Sequence, residues 1–240
     1  MTASLRVIAF PFAGGSSLSY AKIARALPAG VSMVTLDPPG HGRRMAQPLL
    51  TRVEAMALDL VPNIREETGG SPYILFGHSM GAYLALAMLD CLAQSDMPLP
   101  LRLVLSGVAP PDRPQPEKLS ALPPPQFLAR VAAMGGMPAE VLQEPALVEL
   151  FGPILRADFE AAESYVDMRR HAWSVPVLVL RGTADRLTAA GPDAWSACLD
   201  RPPAILDFPG GHFFLFERAA QVAAAICAGA GGIDAVAGSA

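Results

Sequence analysis

The chain has 240 residues, enough for one α/β domain with a substantial core. A composition that is 52% hydrophobic and 17% charged, with a formal net charge of −4, argues against nucleic-acid binding. No apolar run approaches the ~20 residues of a membrane helix, and four histidines without a His/Cys cluster give no metal site.

In chain order, the short apolar runs Leu5–Phe10 and Val31–Leu36 predict strands, with a helical segment near Leu18–Leu27 between them. Val53–Glu67 has a helical pattern despite Pro62, which is expected to kink it. Tyr73–Phe76 predicts a strand, Met80–Gln94 a helix and Leu101–Leu105 a strand. After a long interruption, Val175–Leu180, Ala189–Leu199, Ala204–Phe208 and Leu215–Ile226 continue as strand, helix, strand and helix. Continuous apolar strands alternating with helices predict a mostly parallel sheet covered on both faces.

The interruption, residues 107–172, opens with a proline-rich run from Pro110 to Pro125. Helical patterns follow at Phe127–Met134 and Pro145–Arg170. An insertion of that length is expected to be a helical lid on a core formed by 1–106 and 173–228, the alternative being an extra packing layer. The proline run would serve as a semi-rigid hinge. Apolar positions Phe127, Leu128, Val131, Leu155 and Phe159 are candidates for a substrate-facing lid surface. Residues 229–240 form a low-complexity tail expected to be disordered. Met1–Arg6 shows no signal-peptide pattern, and Cys91, Cys198 and Cys227 are widely spaced, so a reducing cytoplasm is expected.

Gly77-His78-Ser79-Met80-Gly81 is a G-x-S-x-G motif between a predicted strand and a predicted helix. A serine on so sharp a turn stands above the sheet, and the flanking glycines leave room for the turn to close. Its hydroxyl needs a base, and the base needs an acceptor that fixes its tautomer. In this arrangement the order is Ser, then Asp or Glu, then His. Downstream histidines are His171 and His212. His212 is favoured because it sits in a glycine loop between the last strand and the last helix, whereas His171 reads as a surface residue at a helix end. Asp185 follows a strand end, and its rival Asp207 lies inside a strand pattern as an outward-facing carboxylate. Backbone N–H groups of Met80 and of Ala13, in the glycine loop after the first strand, are the candidate oxyanion donors. A phosphate-cradling role for Gly14-Gly15 lacks the accompanying pattern. His41 and His78 are expected to be structural.

With these motifs in place, the chain resembles the type II thioesterases of polyketide and non-ribosomal peptide synthesis, within the α/β-hydrolases. The similarity spans all but the tail. It rests on Phe10–Gly15, Gly77–Gly81, Leu155-Arg156-Ala157-Asp158-Phe159, Gly182–Asp185, Trp195 and Gly210–Phe214. The turn Pro39–Arg44 departs from the family, which usually has arginine directly after the glycine. The resemblance implies an editing enzyme that removes stalled or wrong acyl groups from phosphopantetheinyl acyl or peptidyl carrier proteins. It implies a Ser79–His212–Asp185 triad and no cofactor of its own, the substrate being borne on phosphopantetheine. The chain is expected to act as a monomer, without nucleic-acid or membrane partners. Arg43, Arg44, Arg156, Arg169 and Arg170 are candidates for contacting an acidic carrier. Two alternatives share the triad: an esterase or peptidase on small soluble substrates, and an acyltransferase between carriers.

Overall fold

The computed structural model describes residues 5–112, 117–136, 143–188 and 192–229. Six strands form one sheet: β1 (Leu5–Phe10), β2 (Val31–Thr35), β3 (Tyr73–His78), β4 (Arg102–Ser106), β5 (Val177–Gly182) and β6 (Ala204–Phe208). Their order is β2-β1-β3-β4-β5-β6, and all five pairings are parallel. The chain runs from β1 out to β2 and then returns to β3 on the other side of β1. That reversal places a crevice beyond the carboxyl ends of β1 and β3, where open α/β sheets bind ligands.

Alternate side chains point to opposite faces, and both faces are covered. Ile8, Phe10, Leu75, Leu103 and Val179 pack against α2 (Val53–Thr68) and α3 (Met80–Ala93). Val7, Ala9, Ile74, Phe76 and Leu180 pack on the other face against α1 (Ala21–Arg25) and the C-terminal helices. This double burial explains why the central strands are apolar at successive positions rather than at alternate ones. α3 is buried almost all round, which accounts for its run of alanine, leucine and methionine.

Between β4 and β5 the insertion forms α4 (Pro124–Ala133) and α5 (Pro145–Ser164), each with proline in its first turn. Phe127, Val131 and Leu155 join the two helices in a small apolar cluster with Leu128, Phe151 and Phe159 beside it. Arg156 of α5 donates to the Ser120 and Leu122 carbonyls and lies 4.7 Å from the Phe127 ring centroid. Toward its C-terminus α5 rests on the core: Ala161 and the following Tyr165 join the cluster around α3, with Tyr165 5.3 Å from the Tyr83 ring.

Several boundaries differ from those expected. β3 runs on to His78 because Gly77 and His78 pair with Leu105 and Ser106. β5 is displaced to Val177–Gly182, its end carried by pairing of Arg181 and Gly182 with Asp207 and Phe208. The helix expected to reach Arg170 stops at Ser164, where the chain turns into a polar network: the Asp167 N–H meets the Pro111 carbonyl and its carboxylate meets Arg169 and His171. The last helix is two, α6 (Phe214–Glu217) and α7 (Ala219–Cys227), divided at Arg218. In the 189–199 stretch, Pro192–Ala197 is a 3₁₀ segment, and 189–191 lie outside the described residues. The helix runs unbroken through Pro62. The expected tail beyond 229 and Pro114 and Pro116 of the hinge also lie outside the described residues.

Candidate active site

Ser79 follows the last residue of β3 and precedes the first of α3, with φ 54° and ψ −123°. Among the described residues it is the one non-glycine with positive φ. Such a backbone costs about 1–3 kcal/mol and persists only when its surroundings enforce it. Here the Ser79 N–H donates to the Ser106 carbonyl at 2.8 Å. A Cβ at position 77 would collide with the Gly81 carbonyl, and one at position 81 would lie 2.6 Å from the Pro11 carbonyl oxygen. The spacing of the motif therefore follows from the closeness of this turn to itself and to the end of β1.

The loops after β5 and β6 meet beside it. The Ala184 N–H donates to the Gly210 carbonyl at 2.9 Å, joining the two loops. Asp185 Oδ2 lies 2.8 Å from His212 Nδ1, and Asp185 Oδ1 accepts the Leu187 N–H at 3.0 Å. Burial by itself would raise the Asp185 pKa. The His212 hydrogen bond and charge, with the Leu187 and Thr188 contacts, outweigh it and hold the carboxyl below its usual range. His212 Nε2 is buried and makes no protein hydrogen bond among the described residues. It is thus free to face a reacting group while Nδ1 is held by the carboxylate.

His212, Ser79 and Ala13 line one recess, roofed by Val131, Met134 and Phe159 of the insertion. Ser79 and Met80 also line a larger, mostly apolar cavity of about 270 Å³ that reaches Val108, Leu119 and Ala162. Neither the Ala13 nor the Met80 N–H donates to another protein group among the described residues. Of the five lid residues singled out, Phe159 borders both spaces and Val131 the recess. Phe127 and Leu128 serve the cluster between α4 and α5, and Leu155 sits against Gly14.

The remaining candidates are placed elsewhere. Asp207 is half exposed and paired with Arg181 at 2.8 Å. His171 is buried rather than on the surface, held by Asp167 at 3.0 Å and Asp90 at 3.1 Å and stacked on Trp173. His78 is fully buried, with Nδ1 2.9 Å from Ser106 Oγ and its ring 4.7 Å from that of His212. Burial, and then the neighbouring His212, push its pKa well below the usual range, so it stays a neutral wall of the site. Four of the five arginines are engaged within the chain: Arg44 with Asp59, Arg156 in the insertion, Arg169 with Asp90 and Asp167, and Arg170 with Asp200.

Asp158 was not anticipated as part of the site. It is fully buried on α5, accepts the Gly14 N–H at 2.7 Å and lies 2.9 Å from His41 Nε2. The available signal is a carboxylate inside the buried stripe Ile154, Leu155, Asp158 and Ala161, at helical spacing.

The parallel sheet, its reversal at β1 and β3, the elbow serine and the helical insertion after β4 define an α/β-hydrolase. The family model described as thioesterase domain matches residues 5–228; the chain belongs to that family and is a hydrolase acting on thioesters. It is 28% identical over 231 residues to the gramicidin S biosynthesis protein GrsT of Aneurinibacillus migulanus, covering 94% of this chain and 88% of that one. To the thioesterase PikA5 of Streptomyces venezuelae it is 29% identical over 216 residues, covering 90% of this chain and 77% of that one. Among solved structures, ClbQ from the colibactin NRPS/PKS pathway superposes with a TM-score of 0.85 at 29% identity, covering 93% and 95% of the two chains. The type II thioesterase BorB from the borrelidin biosynthetic cluster gives 0.82 at 29% identity, covering 95% and 93%. No described helix is long and apolar enough to cross a membrane.

Proposed function

We propose that this chain is an editing thioesterase that hydrolyses aberrant or stalled acyl groups from the phosphopantetheine arms of carrier proteins in polyketide or non-ribosomal peptide synthesis. The observation that carries the chemistry is the buried Asp185–His212 pair, whose open Nε2 shares a recess with Ser79. The biosynthetic settings of GrsT, ClbQ and BorB support the substrate class.

Ser79 Oγ attacks the thioester carbonyl as His212 Nε2 takes its proton, and Asp185 stabilises the resulting imidazolium. The Ala13 and Met80 N–H groups receive the oxyanion. When the tetrahedral intermediate collapses, the C–S bond breaks and the thiol leaves with the proton from His212. Water then attacks the acyl-serine with His212 again as base, releasing the acid and restoring Ser79. A thioester is already an activated acyl donor, so this route uses no metal or organic cofactor. The cavity of about 270 Å³ between α3 and the insertion would take the acyl chain.

The deciding experiment compares hydrolysis of a panel of acyl-carrier proteins with free thioesters and oxygen esters of the same acyl groups. Carrier-bound thioesters should be preferred, with free acid as product. Faster turnover of small free esters would favour a general esterase, and acyl groups recovered on a second carrier would favour a transferase.

A further inference from the structure

The loop after β1 has its amide groups almost fully committed. The Gly14 N–H goes to Asp158, Gly15 to the Phe12 carbonyl at 2.8 Å, Ser16 to Ser19 Oγ at 2.8 Å and Ser17 to Asp37. The preceding N–H, that of Ala13, has no protein acceptor among the described residues and borders the recess with Ser79. Three of these four bonds are made within the loop or to the neighbouring turn. The fourth comes from the insertion, where a fully buried aspartate on α5 reaches across to Gly14.

A buried carboxylate is costly unless it is paired and hydrogen-bonded. Its Oδ2 has both forms of support in Asp158, because it also meets His41 Nε2 while His41 Nδ1 lies 3.0 Å from the Pro39 carbonyl; Oδ1 is buried without a hydrogen-bond partner among the described residues. Burial would lower the His41 pKa, but the Asp158 hydrogen bond and charge, then Pro39 and Asp37, raise it. When protonated, His41 donates at both nitrogens and sets a positive charge against the aspartate. Three segments distant in sequence are thus joined at one point next to the oxyanion loop.

We propose that Asp158 is a positioning residue for the oxyanion hole. By holding Gly14 it fixes the Ala13 N–H in register with the Met80 N–H above Ser79. The inference rests on the assignment of Ala13 and Met80 as oxyanion donors. It also assigns α5 to the fixed frame of the site.

The test uses the full chain, the butyryl thioester of N-acetylcysteamine as substrate and an alkyl boronic acid as a mimic of the tetrahedral intermediate. Displacing a donor by roughly 1 Å costs about 10²-fold in rate. Folded Asp158→Ala should therefore lose about that factor in kcat, with KM little changed and boronate affinity falling in parallel. Asp158→Asn keeps an oxygen for Gly14 and should recover most of kcat. Asp158→Glu keeps the charge but displaces the loop and should recover less. If Asp158→Ala does not fold, the order of Asn above Glu in kcat and boronate affinity still decides the matter. Unchanged kcat and boronate affinity in folded Asp158→Ala, a loss confined to KM, or Glu equal to or better than Asn would overturn the proposal. Ser79→Ala separates the two levels. If it is inactive while Asp158→Ala is unimpaired, this inference alone fails; if it retains full turnover, the active-site assignment fails and takes this inference with it.

Discussion

Gly81→Ala should damage catalysis, and the structure sets the size of the effect. The added methyl would lie 2.6 Å from the Pro11 carbonyl oxygen and 2.8 Å from the Phe10 carbonyl carbon, nearer still to the Phe10 oxygen, where ordinary contact begins at 3.4 Å. These are backbone atoms at the end of β1, and no flexible side chain can swing aside. Relief therefore requires the start of α3 to back away from β1 by about 1 Å, and a shift of that size costs about 10² in rate when it separates reacting or stabilising groups. The start of α3 carries the Met80 N–H, and the loop leaving β1 carries Ala13, so the displacement opens the gap between the two proposed oxyanion donors. Overpacking of this kind costs about 1–3 kcal/mol in stability. The assay is steady-state hydrolysis of a short acyl thioester, normalised to folded protein, beside a urea melt. The expected result is a kcat loss of about 10²-fold with little change in KM. A folded Gly81→Ala protein with nearly wild-type kcat would show that the distance between β1 and α3 does not control the reaction.

Other expectations follow from the same geometry. Ser79→Ala and His212→Ala should each abolish most turnover, with the double variant little worse than either; Asp185→Asn should be severely impaired and Asp207→Asn near normal, and the reverse ranking would reassign the acid. His41 has a raised pKa in the fold, so its pairing with Asp158 stabilises fully below the ordinary imidazole value of 6.5 and fades as pH rises through the raised value. His41→Gln should therefore destabilise the protein more at about pH 5.5 than at about pH 9 in urea melts, and equal losses at both would contradict the pairing. Phe159 borders both the recess and the larger cavity, so Phe159→Ala should shift the ratio of long to short acyl thioesters hydrolysed. Discrimination of this kind is limited to about 10–200-fold per methylene-sized difference, and an unchanged ratio would remove Phe159 from the acyl-binding wall.

Much of the sheet was legible because a strand buried on both faces has to be apolar at every position, and β1 falls where such a run lies. Strand ends were less legible. Gly77, His78, Arg181 and Gly182 are in strands because a neighbouring strand pairs with them, and nothing in their side chains announces it. The break at Arg218 and the end of α5 at Ser164 likewise carry no local stop signal. Around Ser79, the residues whose spacing is forced by close backbone approach could be read directly. Asp158 could not, since its partners are Gly14 and His41, more than a hundred residues away in the chain. His171 was misjudged in part for the same reason: of its two carboxylate partners, Asp167 is local but Asp90 lies on α3, far away in sequence.

The strand order has a consequence for the newly made chain. From β3 onward each strand is added to the same growing edge of the sheet, so the elbow bearing Ser79 belongs to the half that leaves the ribosome first. Asp185 and His212 lie after the last two strands, β5 and β6. At about 5–20 residues per second, the stretch from Ser79 to His212 takes about 7–27 s to synthesise. During that interval the nascent polypeptide has the serine without the base that would make it a nucleophile. A chain whose β6 has not yet joined the sheet would therefore carry Ser79 without the histidine loop that follows that strand.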